Sequence, residues 1–184
     1  MTIRFLQAAA AMLLLALISA CSTPLEATMD FDSQFDFSKV QKIAIQPVDR
    51  TNLSMISISD MQVERIDGAL AAELERKGFE IVSSDAEADM FLVWHLVTEE
   101  RTDVRTYNSM SYYNCWRCGP NVSDVSVRQY TQGTFIVDMI DPMRNQSVWR
   151  SIIESRLQSN PDPAEAPARR KEAATAIFAQ FPPY

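Results

Sequence analysis

The run Met90–Val97 constrains the fold of this chain more than any other segment. Its sequence, Met-Phe-Leu-Val-Trp-His-Leu-Val, is apolar at every position except His95. A strand that is apolar on both faces is typical of the centre of a sheet that is covered on each side. The other elements are therefore expected to be arranged around this strand.

Two helices are predicted, one on each side of the central run in the sequence. Ser59 and Gln62 have the spacing of a capping box, apolar residues then recur at helical spacing, and Gly78 ends the pattern. Those apolar residues are Val63, Ile66, Leu70 and Leu74. An Ala-rich helix is predicted from near Pro163 or Pro167 to about Gln180. Its buried side comprises Ala173, Ala174, Ile177, Phe178 and Phe181.

Strand patterns complete the predicted fold. The further strands are Val40–Pro47, Phe79–Ser83, Tyr130–Asp141 and Ser147–Leu157. The order β-α-β-β-β-β-α predicts an α+β fold with two layers, a mixed four- to five-stranded sheet with two helices packed on one face. Residues 29–184 are predicted to form a single domain, with a long aromatic loop at about 101–124.

The segment before this domain indicates export. An uncharged run, Phe5–Ala20, follows Arg4 and precedes Cys21, which is typical of a secretory signal peptide. The context Leu-Ile-Ser-Ala-Cys resembles a bacterial lipobox, whose cysteine receives a diacylglycerol. Residues 1–20 are thus predicted to be a lipoprotein signal peptide, and 21–28 the lipidated Cys21 and a tether.

Two alternatives to lipidation remain. An uncleaved anchor would span about 24 Å of a hydrocarbon core of about 30 Å. Ordinary cleavage after Ala20 would leave Cys21 as a free thiol. Because Ser22 and not Asp follows the cysteine, resemblance to enteric lipoproteins favours the periplasmic leaflet of the outer membrane.

Charge excludes one class of partner. The chain has 17 basic and 24 acidic side chains, a formal net charge of −7, and loss of Arg4 makes it more acidic. Nucleic-acid binding requires clustered Lys and Arg. No nucleic acid is therefore expected as a partner, and membrane contact is expected through the lipid at Cys21.

The loop contains the sharpest local motif, Cys115-Trp116-Arg117-Cys118. With Cys21 lipidated, these are the two remaining thiols, and an oxidising compartment favours a disulfide between them. Redox exchange is an alternative, but Gly119-Pro120 follows at once and disfavours a thioredoxin-like helix. Zinc binding is a further alternative and lacks a second cysteine pair. A structural disulfide is predicted, without a metal or a cofactor.

Aromatic side chains surround this motif. Aromatic residues with arginine are typical of protein-interface anchors and also stack on sugar rings. The candidate contacts with an unknown envelope protein or polysaccharide are Tyr107, Tyr112, Tyr113, Trp116 and Arg117. The alternative is that the loop folds back and covers one face of the sheet.

No catalytic residue is predicted. The single histidine, His95, lies within a strand pattern and is expected to face the sheet. Asp138 and Asp141, three apart on a strand, point to opposite faces, and Asp141 before Pro142 is typical of a turn. Glu99, Glu100 and Asp103 are expected to lie at the end of a strand and to be exposed to solvent.

Several short motifs together resemble the bacterial lipoproteins that carry the domain of unknown function 4136. They are Asp36-Phe37-Ser38, the segment Gly133–Asp141, Val148-Trp149-Arg150 and Phe181-Pro182-Pro183. The resemblance implies a lipid-anchored, periplasm-facing α+β domain with no established activity, and it does not include the Cys115–Cys118 motif. A non-catalytic binding or structural module is therefore predicted. The alternative is a redox or metal-binding module that uses Cys115 and Cys118.

Overall fold

Six strands and two helices make up the part of the chain that the computed structural model describes, residues 25–48, 58–108, 123–158 and 162–183. The strands are β1 (Ala27–Phe31), β2 (Lys42–Ile45), β3 (Glu80–Ile81), β4 (Met90–Asn108), β5 (Ser123–Asp141) and β6 (Gln146–Arg156). The helices are α1 (Asp60–Arg76) and α2 (Ala166–Ile177). Short 3-10 turns occur at Phe37–Lys39 and Asp85–Glu87.

The strands form one mixed sheet in the order β1-β6-β5-β4-β2-β3. Strand β2 runs parallel to β3 and β4, and the other neighbours are antiparallel. This confirms the predicted α+β class. The sheet has one strand more than predicted, because β1 pairs along the edge of β6 and includes residues 27 and 28 of the expected tether. Its sequence, Ala-Thr-Met-Asp-Phe, does alternate between apolar and polar residues, a strand signal that the predicted tether at 21–28 did not take into account.

Helix α1 begins and ends at the residues that the sequence indicates. The Ser59 hydroxyl accepts a hydrogen bond from the Gln62 N–H at 3.3 Å, and the Gln62 side chain accepts one from the Ser59 N–H at 3.2 Å. Gly78 follows the last turn with φ of +97°, a left-handed conformation that favours glycine. The capping box and the glycine stop are therefore confirmed.

Both helices pack on the same face of the sheet, which we call the helix face. Even-numbered residues of the central strand point to it, among them Leu92 and Trp94, which are fully buried. The segment after α2 completes this core, because Phe178 and Phe181 pack against the Trp149 ring at centroid distances of 5.9 and 5.0 Å. The apolar burial on this face drives the association of the two layers.

The opposite face, the open face, is apolar but lacks a covering layer among the described residues. Phe91, Val93, His95 and Val97 of β4 point to it and are half-buried. The apolar run Met90–Val97 predicted that both faces of the sheet are covered. Among the described residues, the two helices cover only the helix face. His95 faces the sheet surface, as predicted.

One hydrogen bond ties the centre of the sheet to α1. The indole N–H of Trp94 donates to the Asp67 carboxylate at 2.7 Å. Burial raises the pKa of Asp67, and the bond from Trp94 lowers it in part. The folded state therefore binds the Asp67 proton more tightly than the unfolded chain does. The contribution of this group to stability is present at acidic pH and is lost as the pH rises through the folded pKa.

We predict that Asp67→Asn makes the protein relatively more stable at neutral than at acidic pH. The amide keeps an acceptor for Trp94 but removes the half-buried charge. Thermal unfolding of both chains at about pH 4 and about pH 7 measures this effect. The melting temperature of the variant minus that of the wild type should increase with pH. A difference that stays constant with pH would contradict the analysis.

Candidate functional site: a projecting arm and a groove between the helices

Strands β4 and β5 continue well beyond the rest of the sheet. Strand β6 makes its last pair with β5 at Gln132, and β2 makes its last pair with β4 at Leu92. Beyond these points, Arg101–Asn108 and Ser123–Tyr130 pair with each other and with no other described strand. We call these eight residue pairs the arm, which is about 27 Å long at ~3.4 Å per residue.

The arm corrects the expectation of a loop at about 101–124. Residues 101–108 and 123–124 belong to the two long strands. In this ribbon threonine and valine alternate with charged residues, and Arg101, Thr102 and Val104 are exposed. Such a ribbon has little of the apolar periodicity on which strand prediction depends.

One side of the arm displays an apolar pair. Val104 and Val127 are directly opposite each other in the register, and each is 58% exposed. Side chains at such positions touch across the two strands. A two-stranded ribbon is only marginally stable in water by itself. The arm is therefore a surface that gains stability when another molecule covers it.

The base of the arm is held by the end of β6. The Arg156 guanidinium lies 3.7 Å above the Tyr130 ring and 3.5 Å from the Asp103 carboxylate. The backbone N–H of Leu157 donates to the Thr131 carbonyl at 2.9 Å. Its side chain also crosses Gly133, where an added Cβ would be only 2.8 Å from it. These contacts fix the direction in which the arm leaves the sheet. Glu99 and Glu100 are exposed, as predicted. They lie within β4 and not at its end, and Asp103 is half-buried in its ion pair with Arg156, so the expectation of a solvated strand end was wrong in these two respects.

Most of the predicted contact and thiol residues fall outside the part of the chain that the structure describes. Tyr107 belongs to β4, where its backbone pairs with Asp124. Outside the described residues are Cys21, Tyr112, Tyr113, Cys115, Trp116, Arg117 and Cys118. The pairing of Asn108 with Ser123 brings both ends of segment 109–122 to the end of the arm.

A groove of about 670 Å³ lies between the two helices and the sheet. Leu96 and Phe135 line it from the sheet, and Ile66 and Ala173 line it from the helices. Leu25, the first described residue, also lines it. This volume is within the range of about 300–1,000 Å³ that is typical of ligand pockets.

A smaller cleft of about 310 Å³ adjoins this groove, because Ala69 and Arg170 line both. Arg65 and Lys171 also line the cleft. Glu73 is its one described acid, and its buried carboxylate is bound by Arg76 at 2.9 Å. The hydrogen bond from Arg76 holds the pKa of Glu73 below its usual value. The cleft therefore has an excess of positive charge.

The predicted carboxylates Asp138 and Asp141 have separate partners. Asp138 is buried on the open face and accepts hydrogen bonds from the Arg150 guanidinium at 2.7 and 2.9 Å. Asp141 accepts a bond from Arg144 at 2.7 Å, which holds the pKa of Asp141 below its usual value. Asp141 also accepts from the Met143 N–H at 2.9 Å, as expected of a turn residue. The two are not a carboxylate pair for acid-base chemistry.

The described residues lack two further features. Within those ranges there is no group of three or more His, Cys, Asp or Glu side chains that could hold a metal ion. No helix in the described part of the chain is long and apolar enough to cross a membrane.

The groove and the cleft were not predicted from the sequence. Their walls depend on small side chains, Ala69 and Ala173, which read as ordinary helix formers. The sequence signal for the site is the pair Arg169-Arg170 within an Ala-rich helix. The small alanine side chains allow another helix to approach closely, and the two arginines place cations beside that surface.

Comparisons with known proteins identify the fold and the family. The chain is similar to a PDZ domain protein from Parabacteroides distasonis, with 12% identity and a TM-score of 0.53. The match covers 86% of this chain and 35% of that protein, so the chain spans about a third of its length. A DUF4136 family protein from Bacteroides thetaiotaomicron has 16% identity and a TM-score of 0.49. The match covers 88% of this chain and 97% of that protein.

A minor lipoprotein from Acinetobacter baumannii has 9% identity and a TM-score of 0.34. The match covers 77% of this chain and 92% of that protein. The search of curated proteins found no match. The sequence model of the family described as "Domain of unknown function (DUF4136)" matches residues 27–183, which is most of the chain. The resemblance of the motifs is thereby confirmed, and the chain belongs to the DUF4136 family.

Proposed function

We propose that the protein is a lipid-anchored, periplasm-facing module of the cell envelope that binds a partner protein and does not catalyse a reaction. The observation that carries this proposal is the arm. It extends eight residue pairs beyond the sheet and displays the exposed pair Val104 and Val127. Its end leads directly into segment 109–122.

The arm and the aromatic segment form one candidate contact surface. Covering Val104 and Val127 would remove apolar area from water and stabilise a ribbon that is marginal by itself. Tyr112, Trp116 and Arg117 follow in segment 109–122, and these residue types carry much of the binding energy at protein interfaces. A protein partner is favoured over a polysaccharide because the arm offers an apolar pair and a free strand edge in addition to aromatic rings.

Anchoring through Cys21 complements this surface. Three residues separate Cys21 from Leu25, where the described domain begins. The four residue-to-residue steps span at most about 14 Å, so the domain would lie close to the anchored residue. An acidic domain is repelled by anionic headgroups, and an acyl anchor overcomes this repulsion. Ser22 after the cysteine favours the periplasmic leaflet of the outer membrane.

A non-catalytic role is supported by the pairing of the buried carboxylates. Asp138, Asp141 and Glu73 are each bound by an arginine, which leaves none of the three free as a general base. The rival redox or metal-binding function rests on Cys115 and Cys118. No observation among the described residues favours it, and a disulfide between these cysteines remains our proposal for the segment at the end of the arm.

We predict that a photoreactive amino acid at position 104, and separately at position 127, forms a cross-link to the same envelope protein in living cells. The two positions are opposite each other on the arm, so one bound partner would touch both. Immunoblotting and mass spectrometry of the adducts measure the outcome. Position 143 is the matched control, since Met143 is 94% exposed in the turn at the opposite end of β5.

Cross-links from position 143 but not from the arm would contradict the proposed surface. The adducts at positions 104 and 127 are also treated with a peptidoglycan hydrolase and, separately, with a protease. A cross-linked partner that the hydrolase digests and the protease does not would contradict a protein partner. Such a result would identify a polysaccharide instead.

We further predict that radiolabelled palmitate labels the wild-type chain and does not label Cys21→Ala. The thiol is the acceptor for the diacylglycerol, so alanine removes the site of attachment. A chain with both Cys115→Ala and Cys118→Ala is the matched control and should retain the label. An unlabelled wild-type chain with a free thiol at position 21 would indicate ordinary cleavage and contradict the anchor.

A further inference from the structure

We propose that the groove between α1 and α2 binds a long-chain fatty acid, with its acyl chain inside the groove and its carboxylate beside Arg170. This site is separate from the arm and from the proposed protein partner. The proposal rests on the volume of the groove, on its apolar lining and on the cation at the point where it meets the cleft.

The interior of the groove matches a single acyl chain. Its volume of about 670 Å³ is that of a small-ligand pocket, and its described surface is mainly apolar. The apolar lining includes Leu25, Ile66, Leu70, Leu96, Phe135 and Ala173. These aliphatic and aromatic side chains offer no specific polar partner to a ligand. An unbranched alkyl chain is the ligand chemistry that such a lining recognises.

The charge around Arg170 matches an anionic head group. Among the described residues, the Arg170 side chain forms no ion pair and no hydrogen bond, although the residue is half-buried. Its neighbours Arg65 and Lys171 in the cleft are likewise without an ion pair in the described ranges. A carboxylate at this point would gain charge-assisted hydrogen bonds in a partly desolvated position.

The other charged residues on the groove do not compete for this role. Arg169 is bound to Glu165 and to Gln158, and the Arg156 side chain is turned to Tyr130 on the open face. Glu172 is the acid among the described lining residues and is exposed. Arg170 is therefore the cation that a bound carboxylate would meet.

Fluorescence of dansylaminoundecanoate, an acyl carboxylate probe, tests the proposal with the full chain in nanodiscs of zwitterionic phospholipid. Emission is compared with that of empty discs of the same composition. The probe should bind to the wild-type chain with a blue shift and should be displaced by oleate. Its methyl ester serves as the neutral matched probe.

Two substitutions distinguish the contribution of the acyl chain to binding from that of the carboxylate head group. Arg170→Glu should weaken binding of the carboxylate probe about tenfold or more and leave the methyl ester unchanged. Ala173→Trp should fill the groove and abolish the binding of both probes. The matched controls are Lys39→Glu, a charge reversal at an exposed residue, and Ala168→Trp on the exposed side of α2. Both should bind like the wild type, and melting curves confirm that each variant is folded.

Two results would overturn the proposal. The wild-type chain could fail to bind either probe, or Arg170→Glu could leave the affinity for the carboxylate probe unchanged. In the first case, Cys21→Ala is tested as well, and it could bind the probe where the wild-type chain does not. That result would show that an acyl chain on Cys21 itself occupies the groove.

Discussion

The antiparallel pairing of β4 with β5 is the interaction on which the rest of the structure depends. Eighteen residue pairs, from Phe91 with Ile140 to Asn108 with Ser123, form one continuous ladder. The inner part carries the apolar side chains against which both helices pack, and the outer part is the arm. Because side chains alternate between faces, a slip of one residue would turn Trp94 and its neighbours away from the helices. Burial of the helix face therefore also fixes which side of the arm displays Val104 and Val127.

The arm and the groove lie on either side of one boundary, where β6 ends. There Leu157 crosses Gly133, and Arg156 holds Tyr130 and Asp103. Leu157 and Phe135 also line the groove, so its end adjoins the base of the arm. The glycine permits a contact that any Cβ would obstruct. The proposed protein contact and the proposed fatty acid site thus share a structural support but use different residues.

The sequence predicted those elements that bury a periodic apolar face. The capping box at Ser59, the glycine stop at Gly78 and the central run Met90–Val97 have clear local causes. The arm was missed because its threonines, valines and charged residues lack the apolar periodicity of a strand that buries one face. Strand β1 was missed although its five residues alternate between apolar and polar, because its first two residues were assigned to the tether that follows Cys21. Its position depends on pairing with β6. The groove could not be predicted, since it is a space left by small residues such as Ala69 and Ala173 on separate helices.

The measurement that tests this account most directly is amide hydrogen exchange of the full chain, residue by residue, across the arm. In a two-stranded ribbon, alternate amides donate to the partner strand and the others face solvent. We predict slow exchange at every second amide of Arg101–Asn108 and Ser123–Tyr130. The central amides of Met90–Val97 should be protected more strongly and serve as the reference. Uniformly rapid exchange throughout both arm segments would contradict a preformed arm and the contact surface that is proposed to depend on it.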